Sequence, residues 1–215
     1  MAIIVMVYGQ SGTGKSASLR NFAPGQAAIV NVSGKPMPFR RPVETYNTDD
    51  YGRIGAAIRQ AAKNGRKSIV IDDATYLMTN EFMRTAGLNG YQKFTDMALN
   101  FFNLVKNAQI LPEDAIVYFL GHSDADANGS EKFKTIGKLL DEKVTLEGLF
   151  TIVLKTVVQD GKYYFATHNS GHDTVKTPME MFDQDLIDND LAAVDAVIRA
   201  YYGLDKQPTK TEEQA

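Results

Sequence analysis

The feature that most constrains the fold is a glycine-rich octapeptide that directly follows a short apolar run. Residues 3–8 (Ile-Ile-Val-Met-Val-Tyr) are rich in β-branched side chains, as in a strand buried on both faces of a parallel sheet. Residues 9–16 fit the pattern G-x-x-x-x-G-K-[ST], and a helix is predicted over residues 15–21. A strand, a loop and a helix in this order predict an α/β fold in which the loop binds phosphate.

The residue types of this loop suit the phosphates of ATP bound with Mg²⁺. Glycines let successive backbone N–H groups point inward at a helix N-terminus, where an anion is favoured. Lys15 adds a charge for the β- and γ-phosphates, and Ser16 offers a hydroxyl to Mg²⁺. A chance match is the alternative, at about one in a hundred for a chain of this length. The predicted nucleotide contacts are Gly9, Gln10, Ser11, Gly12, Thr13, Gly14, Lys15 and Ser16.

A second metal anchor is expected downstream, at the end of another apolar strand. Residues 69–73 (Ile-Val-Ile-Asp-Asp) supply it, and Asp72 is predicted to hold Mg²⁺ through water. Asp73 is predicted either to orient the attacking water as a general base or to cap the next helix, and the two roles are equally favoured. His122 follows a further strand and is a candidate sensor of the γ-phosphate or a structural histidine.

Apolar and amphipathic segments alternate through the rest of the chain, which predicts a parallel sheet covered by helices. Two β-rich runs around Asp160-Gly161 predict a C-terminal β-hairpin. We therefore predict one three-layer α/β domain over residues 1–204 and a disordered polar tail over 205–215. Predicted strands cover 27–32, 68–71, 116–120, 150–158 and 163–167, and predicted helices cover 50–63, 75–86, 94–108 and 191–202.

Composition excludes several classes of function. The chain has no cysteine, so disulfides and thiolate chemistry are excluded, and we expect a cytoplasmic protein without a membrane anchor. A net charge of −3 argues against a strongly basic nucleic-acid binder but permits local basic loops. The spacing of His168 and His172 occurs in zinc sites, but no third ligand is evident nearby.

Arginine is absent between Arg84 and Arg199, so no arginine finger can come from that part of the chain. If a neighbouring subunit stabilises charge on the γ-phosphate, a lysine must do so. Lys176 is the first candidate, and Lys134 and Lys138 are the others. Each of them could equally be an ordinary surface lysine.

Two loops combine lysine with an aromatic residue, which is the composition of a surface for single-stranded DNA. They cover residues 87–93 and 123–134, and the alternative is that both are ordinary surface loops. The predicted DNA contacts are Tyr91, Lys93, Lys132, Phe133 and Lys134.

The sequence also resembles a family of bacteriophage ATP-binding proteins described as AAA-type ATPases, and it is similar to the RecA-core branch of the Sak single-strand annealing proteins. The resemblance implies a RecA-like P-loop core, phage recombination on single-stranded DNA with ATP, and a homo-oligomeric ring or filament, with a single-strand-binding protein as a further partner. The segments that carry it are residues 8–40, 71–73 (Ile-Asp-Asp), 80–83 (Asn-Glu-Phe-Met), 119–122 (Phe-Leu-Gly-His), 134–138 (Lys-Thr-Ile-Gly-Lys) and 188–191 (Asp-Asn-Asp-Leu).

Carried over residue by residue, the family's phosphate loop falls on residues 9–16 and its Walker B carboxylate on Asp72. Where RecA has a glutamate after its second strand, this chain has residues 31–34 (Asn-Val-Ser-Gly), so slow or DNA-stimulated hydrolysis is expected. Two alternatives are a phage nucleotide kinase and a non-hydrolysing ATP-dependent module such as a helicase loader or packaging regulator.

Overall fold

The computed structural model describes residues 1–126 and 128–205, so almost all of the predicted polar tail lies outside the described residues. The strands are β1 (Ile3–Gly9), β2 (Ala27–Asn31), β3 (Thr45–Asn47), β4 (Ser68–Asp72), β5 (Ile116–Ala125), β6 (Glu131–Phe133), β7 (Ile152–Gln159), β8 (Lys162–Ala166) and β9 (Leu186–Asp188). The α-helices are α1 (Tyr51–Lys63), α2 (Thr75–Arg84), α3 (Gln92–Gln109) and α4 (Leu191–Tyr202). Short turns of other helix types cover Ser16–Asn21, Leu139–Lys143 and Leu146–Leu149.

The strands form one mostly parallel sheet in the order β3-β2-β4-β5-β1-β7-β8-β9, and β6 pairs with β5 outside this path. All pairs from β3 to β7 are parallel, whereas β8 and β9 are added antiparallel. The register of β1 against β5 sets Gly9 opposite His122. The carboxyl ends of β1, β4 and β5 therefore meet at one edge of the sheet, where ligands bind in open α/β folds.

Helices cover both faces of the sheet. This explains why residues 3–8 of the central strand β1 are all apolar, because side chains on both sides of the strand are buried. Ile4 and Met6 pack with α1, α2 and α3 on one face, while Val5 and Val7 pack with α4 and Ser16–Asn21 on the other. All four side chains are 1% exposed or less. The predicted α/β class and mostly parallel sheet are confirmed.

Most predicted elements are present, with α1 capped by the side chain of Asp50, which accepts a hydrogen bond from the Arg53 backbone N–H. The predicted hairpin is formed by β7 and β8. The short strands β3, β6 and β9 were not predicted. β5 also continues beyond the predicted strand to Ala125 and pairs with β6, so the segment expected to be a flexible loop is largely a hairpin.

A buried polar cluster anchors α4 to the amino ends of β4 and β5. Asp195 accepts hydrogen bonds from Ser68 Oγ and Tyr118 Oη, both at 2.8 Å, and from Arg199 Nε at 2.7 Å. Arg199 also donates to Ser68 Oγ at 2.9 Å and to the carbonyl of Asp114 at 3.0 Å. Each charged group in this α4 cluster has its partners inside the protein, as buried charges require.

In the described part of the chain, no helix has the length and apolar character needed to cross a membrane.

Candidate nucleotide-binding site

The glycine-rich loop holds the backbone conformation that the motif requires. Gly12 and Gly14 have φ angles of 81° and 97°, a region that side chains with a Cβ rarely adopt. Thr13 Oγ1 donates to the carbonyl of Gln10 at 2.7 Å and hydrogen-bonds Thr156 Oγ1 on β7 at 2.5 Å. The role of Thr156 was not predicted, because only the β1–β7 pairing brings it to the loop.

The ammonium of Lys15 closes the loop on itself. Its Nζ donates to the carbonyls of Gly9 at 2.9 Å and Gln10 at 2.7 Å, and the residue is 6% exposed. Burial lowers the pKa of Lys15, and the negative charges of Asp73 and Asp72 oppose that shift. Two neutral acceptors are weaker partners for an ammonium than a phosphate would be. Lys15 is therefore placed to exchange its carbonyl partners for an anion in the loop.

The helix predicted after the loop is short and is not an α-helix. Ser16–Asn21 is a six-residue 3₁₀ helix, in which Ser18 N–H donates to the carbonyls of Gly14 at 3.0 Å and Lys15 at 3.2 Å. Pro24 disfavours helical backbone at the residue before it, so the helix cannot extend far. The helix predicted over residues 15–21 is therefore present as a 3₁₀ helix over Ser16–Asn21, and the groups placed to meet an anion are the loop N–H groups and Lys15.

Ser16 and Asp72 meet although they lie 56 positions apart. Ser16 Oγ donates to Asp72 Oδ1 at 3.0 Å across the end of β5. Burial, and then the charge of Asp73, raise the pKa of Asp72 to about 6, while the hydrogen bond from Ser16 opposes the shift. A hydroxyl and a carboxylate in contact are the hard oxygen ligands that Mg²⁺ prefers. The two residues fit a magnesium site completed by waters and phosphate oxygens.

The described residues contain no cluster of three or more His, Cys, Asp or Glu side chains that could hold a metal ion. His168 lies 3.1 Å from Asp185 through Nδ1, and this nitrogen also contacts Thr167 Oγ1 at 3.0 Å.

Asp73 has a left-handed backbone, with φ of 58°, which is uncommon for a residue with a side chain. Its carboxylate lies 3.7 Å from His122 Nε2 and 3.9 Å from Lys35 Nζ. α2 begins after Ala74 without a side-chain cap, so the helix-cap role predicted as one alternative for Asp73 is wrong. The strained backbone directs the carboxylate toward the edge of the sheet beside the phosphate loop.

His122 lies beside the phosphate loop, opposite Gly9, and its ring meets Tyr76 edge-on at 5.6 Å between centroids. Burial, followed by the charge of Lys15, lowers the pKa of His122, so its imidazole is neutral at neutral pH. A cavity of about 380 Å³ adjoins it. The residues that line this cavity are Gln10, Ser11, Thr75, Tyr76, Thr79, His122, Ser123, Lys134 and Ile136. Lys134 therefore shares a cavity with the candidate sensor.

Asn31 lies at the end of β2, where the family resemblance predicts a catalytic glutamate. The residue pairs with Asp72 in the β2–β4 register, and its side-chain amide binds the turn that follows. Its Nδ2 donates to the carbonyl of Lys35 at 2.8 Å, and its Oδ1 accepts the N–H of Gly34 at 2.9 Å. Asn31 thus folds the following turn so that Lys35 reaches Asp73.

The predicted DNA residues have different environments. Phe133 is 1% exposed, and its ring packs on Phe101 and fills the space beside Gly121, so the prediction that it is an exposed stacking residue is wrong. Lys132 lies in β6 opposite Asp124. Tyr91, in contrast, is 88% exposed.

Lys93 binds the backbone of the loop that carries Tyr91. Its Nζ donates to the carbonyl of Leu88 at 2.8 Å and, at longer range, to those of Thr85 and Ala86. It also lies over the rings of Phe82 and Phe94 at 5.8 and 5.6 Å from their centroids. Lys93 therefore shapes this loop as well as adding charge to it.

Lys176 lies away from the phosphate loop of its own chain. Its side chain is exposed, and its backbone exchanges hydrogen bonds with Val153 on β7 at 2.8 and 3.0 Å. Val153 pairs with Met6 in the β1–β7 register, and Met6 precedes Gly9, the first residue of the loop, on β1. Its predicted role at the nucleotide of a neighbouring subunit stays a prediction. Lys138 is also exposed, and it pairs with Glu142 at 3.6 Å.

A polar chain not predicted from the sequence ties the loop to the segment after β8. Gln10 Nε2 donates to Glu131 Oε1 at 3.4 Å. Lys155 lies 3.6 Å from Glu131 and 3.3 Å from Asp173. The N–H of Thr174 donates to the Tyr8 hydroxyl at 3.0 Å, next to Asp173. These pairings join residues far apart in the sequence, so no local sequence pattern predicts them.

A larger cavity, of about 640 Å³, lies elsewhere among the described residues. It lies between β2, β3 and the end of α1, and shares no residue with the phosphate loop. Its size therefore does not make it the nucleotide site, because the groups suited to phosphate and magnesium lie outside it.

Comparison with known proteins adds no identification: no protein-family model matches the chain, and no curated protein matches it.

Proposed function

We propose that this chain is a P-loop nucleoside triphosphatase that binds ATP with Mg²⁺. The observation that carries the proposal is the hydrogen bond between Ser16 and Asp72, which joins the glycine-rich loop after β1 to the acidic end of β4. A chance glycine-rich turn gives no reason for a buried carboxylate to meet the serine that follows the lysine. The buried Lys15 ammonium beside the same carboxylate adds the cation that phosphate binding needs.

The strand order is compatible with the RecA-like core that the family resemblance implies. β5 lies between β1 and β4, so the candidate sensor His122 lies between the phosphate loop and the acidic strand. The absence of arginine between Arg84 and Arg199 also removes the residues of an arginine-rich lid over this stretch.

The site residues can support hydrolysis of the γ-phosphate. Lys15 and the loop N–H groups bind the phosphates, and Asp72 with Ser16 holds Mg²⁺, which neutralises charge on the phosphate oxygens. Asp73 accepts a proton from water as the water oxygen bonds to the γ-phosphorus and the bond to the bridging oxygen of ADP breaks. His122 and Lys35 lie beside the Asp73 carboxylate, at 3.7 and 3.9 Å. A non-hydrolysing module would bind the phosphates and Mg²⁺ but would not activate water for attack on the γ-phosphate.

Single-stranded DNA is the substrate that the family resemblance implies, and one observation favours it. Tyr91 and Leu88 are 88% and 60% exposed on the connection between α2 and α3, where Lys93 adds positive charge. An exposed ring on a loop held by lysine suits stacking with an unpaired base. We therefore propose that ATP serves an action on single-stranded DNA by an oligomer, with strand annealing in phage recombination as the candidate.

Lys15→Ala tests the nucleotide site. The variant is expected to lose ATP binding by at least about a hundredfold while keeping its fold, because it removes a charge-assisted contact to phosphate and no apolar contact. Isothermal titration with Mg-ATP measures the affinity, and thermal unfolding checks the fold. Lys106→Ala, an exposed lysine on α3, is the control and should bind ATP normally. Unchanged affinity in folded Lys15→Ala would reject the site.

Turnover with and without single-stranded DNA separates the candidate functions. Phosphate release that rises on adding the DNA supports the proposed action. Steady ATP binding without phosphate release supports a non-hydrolysing module. Phosphoryl transfer to a nucleotide acceptor, followed as a new diphosphate, would support a kinase.

A further inference from the structure

The phosphate loop has two flanks, and only one of them holds the groups discussed so far. Asp72 and His122 lie on the side of β4 and β5. On the other side, beyond β7, a side chain added at Gly14 would lie 3.0 Å from Tyr163 Cδ1 and 3.1 Å from Asn189 Oδ1. Tyr163 belongs to β8, and Asn189 follows β9. A nucleotide with its γ-phosphate beside Asp72 extends across the loop toward this second pair.

Asn189 carries an unused polar group at this place. Its side chain is 2% exposed, and neither Nδ2 nor Oδ1 has a hydrogen-bond partner within residues 1–126 and 128–205. The backbone of Asn189 is satisfied, since its N–H donates to the carbonyl of Tyr163 at 3.2 Å and its own carbonyl accepts Arg20 Nη1 at 2.6 Å. A buried amide without partners lowers stability, so its presence beside the loop needs an explanation.

The chemistry of an amide selects among bases. An asparagine side chain presents one donor and one acceptor side by side, which matches the N6 amino group and N7 of adenine. On the same base edge guanine presents two acceptors, O6 and N7, so an amide bound there in the same orientation would set its oxygen against O6. The Tyr163 ring, 48% exposed and also in contact with the loop at Gly14, can turn to uncover the amide and stack on the base.

We propose that Asn189 and Tyr163 form an adenine subsite on the β7–β9 flank of the phosphate loop, in which the Asn189 amide pairs with the base edge and Tyr163 stacks on its face. The inference rests on the proposed function, because the base is placed by a triphosphate in the loop. It assigns nucleotide choice to residues outside the glycine-rich motif.

Binding of Mg-ATP, Mg-GTP and magnesium tripolyphosphate by the full chain tests the subsite. The wild type should bind tripolyphosphate and should prefer ATP to GTP by about tenfold or more, as one bidentate amide contact provides. Asn189→Leu, similar in size, should lose that preference and keep its tripolyphosphate affinity. Equal loss of ATP and tripolyphosphate in Asn189→Leu would mean that Asn189 only supports the loop, and an unchanged preference for ATP would mean that the amide faces bound water. Both results overturn the proposal.

The tyrosine gives an independent test that leaves the buried amide intact. Tyr163→Ala should weaken ATP on the order of tenfold and leave tripolyphosphate unchanged, whereas Tyr163→Phe should bind both normally because the ring face remains. Tyr46→Ala is the control, since Tyr46 is 47% exposed on the opposite edge of the sheet. Normal ATP affinity in Tyr163→Ala refutes the stacking role. A wild type that binds neither Mg-ATP nor magnesium tripolyphosphate refutes the proposed function itself, whereas one that binds both without preferring ATP to GTP refutes only the subsite.

Discussion

Two buried polar clusters lie at opposite ends of the same strands and differ in how their charges are paired. At the amino ends, Asp195 and Arg199 form the α4 cluster, in which every charged group has protein partners. At the carboxyl ends, within the part of the chain that the structure describes, Lys15 donates to two carbonyl oxygens, and Asp72 accepts from one hydroxyl and one backbone N–H. The first cluster is fully paired within the protein, whereas the second would gain stronger partners from the proposed Mg-ATP. Under the proposed function, completeness of pairing distinguishes the structural cluster from the binding site more clearly than burial does.

The largest effect should come from breaking the complete cluster. Arg199→Ala is expected to lower the free energy of unfolding by about 3–5 kcal/mol, because the Asp195 carboxylate stays buried without its cation. Chemical denaturation measures the loss, and Arg59→Ala, at an exposed position on α1, should change stability little. Nucleotide affinity of the remaining folded protein should not change. A loss of less than about 1 kcal/mol would show that the Asp195–Arg199 ion pair contributes less to stability than its buried geometry indicates.

Asp72→Asn should act in the opposite direction on stability. Because folding raises the pKa of Asp72 to about 6, ionising this carboxyl disfavours the folded state. The penalty is absent below the unfolded pKa near 4, grows as the pH rises toward 6 and is complete above that. The amide should therefore stabilise the protein by about 3 kcal/mol at pH 8 and by almost nothing at pH 4.

The same substitution should cost function. The neutral amide is a poor partner for the waters of Mg²⁺, so magnesium-dependent turnover should be lost while part of the nucleotide affinity survives. Thermal melts at pH 4 and pH 8, together with phosphate release, measure both effects. Equal stability of variant and wild type at pH 8 would show that folding does not raise the pKa of Asp72, and wild-type turnover by the variant would place the metal-binding carboxylate elsewhere. Asp114→Asn, at a half-exposed surface aspartate, is the control and should alter neither.

The parts of the site that could be predicted from the sequence are those formed by motifs of consecutive residues. The octapeptide after β1 and the Ile-Val-Ile-Asp end of β4 each carry their own signal, and parallel strands bring such ends to one edge. The meeting of Ser16 with Asp72 follows from these two facts together. The hairpin of β7 and β8 could also be predicted, because the dipeptide Asp160-Gly161 favours a two-residue hairpin turn.

The parts that were missed depend on distant residues. Phe133 follows Glu131 and Lys132 in a three-residue strand, too short to show alternation, and only its pairing with β5 turns the ring into the core. Asn189 lies between β9 and α4 in a polar run, and nothing local indicates that it reaches Gly14. Such placements come from long-range packing, which a motif does not encode.

The smallest effect is expected at Lys176, which would show whether the incomplete cluster is completed by a second subunit. Lys176→Ala should leave ATP binding by each chain intact and lower turnover by about tenfold, with weaker ATP-dependent assembly. This loss is smaller than that of an arginine finger because a flexible lysine provides a point charge without two-pronged geometry. A cation that meets charge only in the transition state alters rate more than binding. Steady-state turnover, titration with ATP and mass measurement of the assembly give the three quantities.

Mixing two impaired variants tests whether the lysine acts across an interface. Lys15→Ala chains keep Lys176 and could supply it to Lys176→Ala chains, whose phosphate loops are intact, so turnover should rise above that of Lys176→Ala alone. The same mixture made with Lys15→Ala/Lys176→Ala chains is the control and should show no such rise, because neither chain then supplies Lys176 to the intact loops. If mixtures that demonstrably co-assemble recover nothing, or if Lys176→Ala alone turns over normally, Lys176 is not the missing partner. Lys134, which already lines the cavity beside His122, would then be tested first, and Lys138 after it.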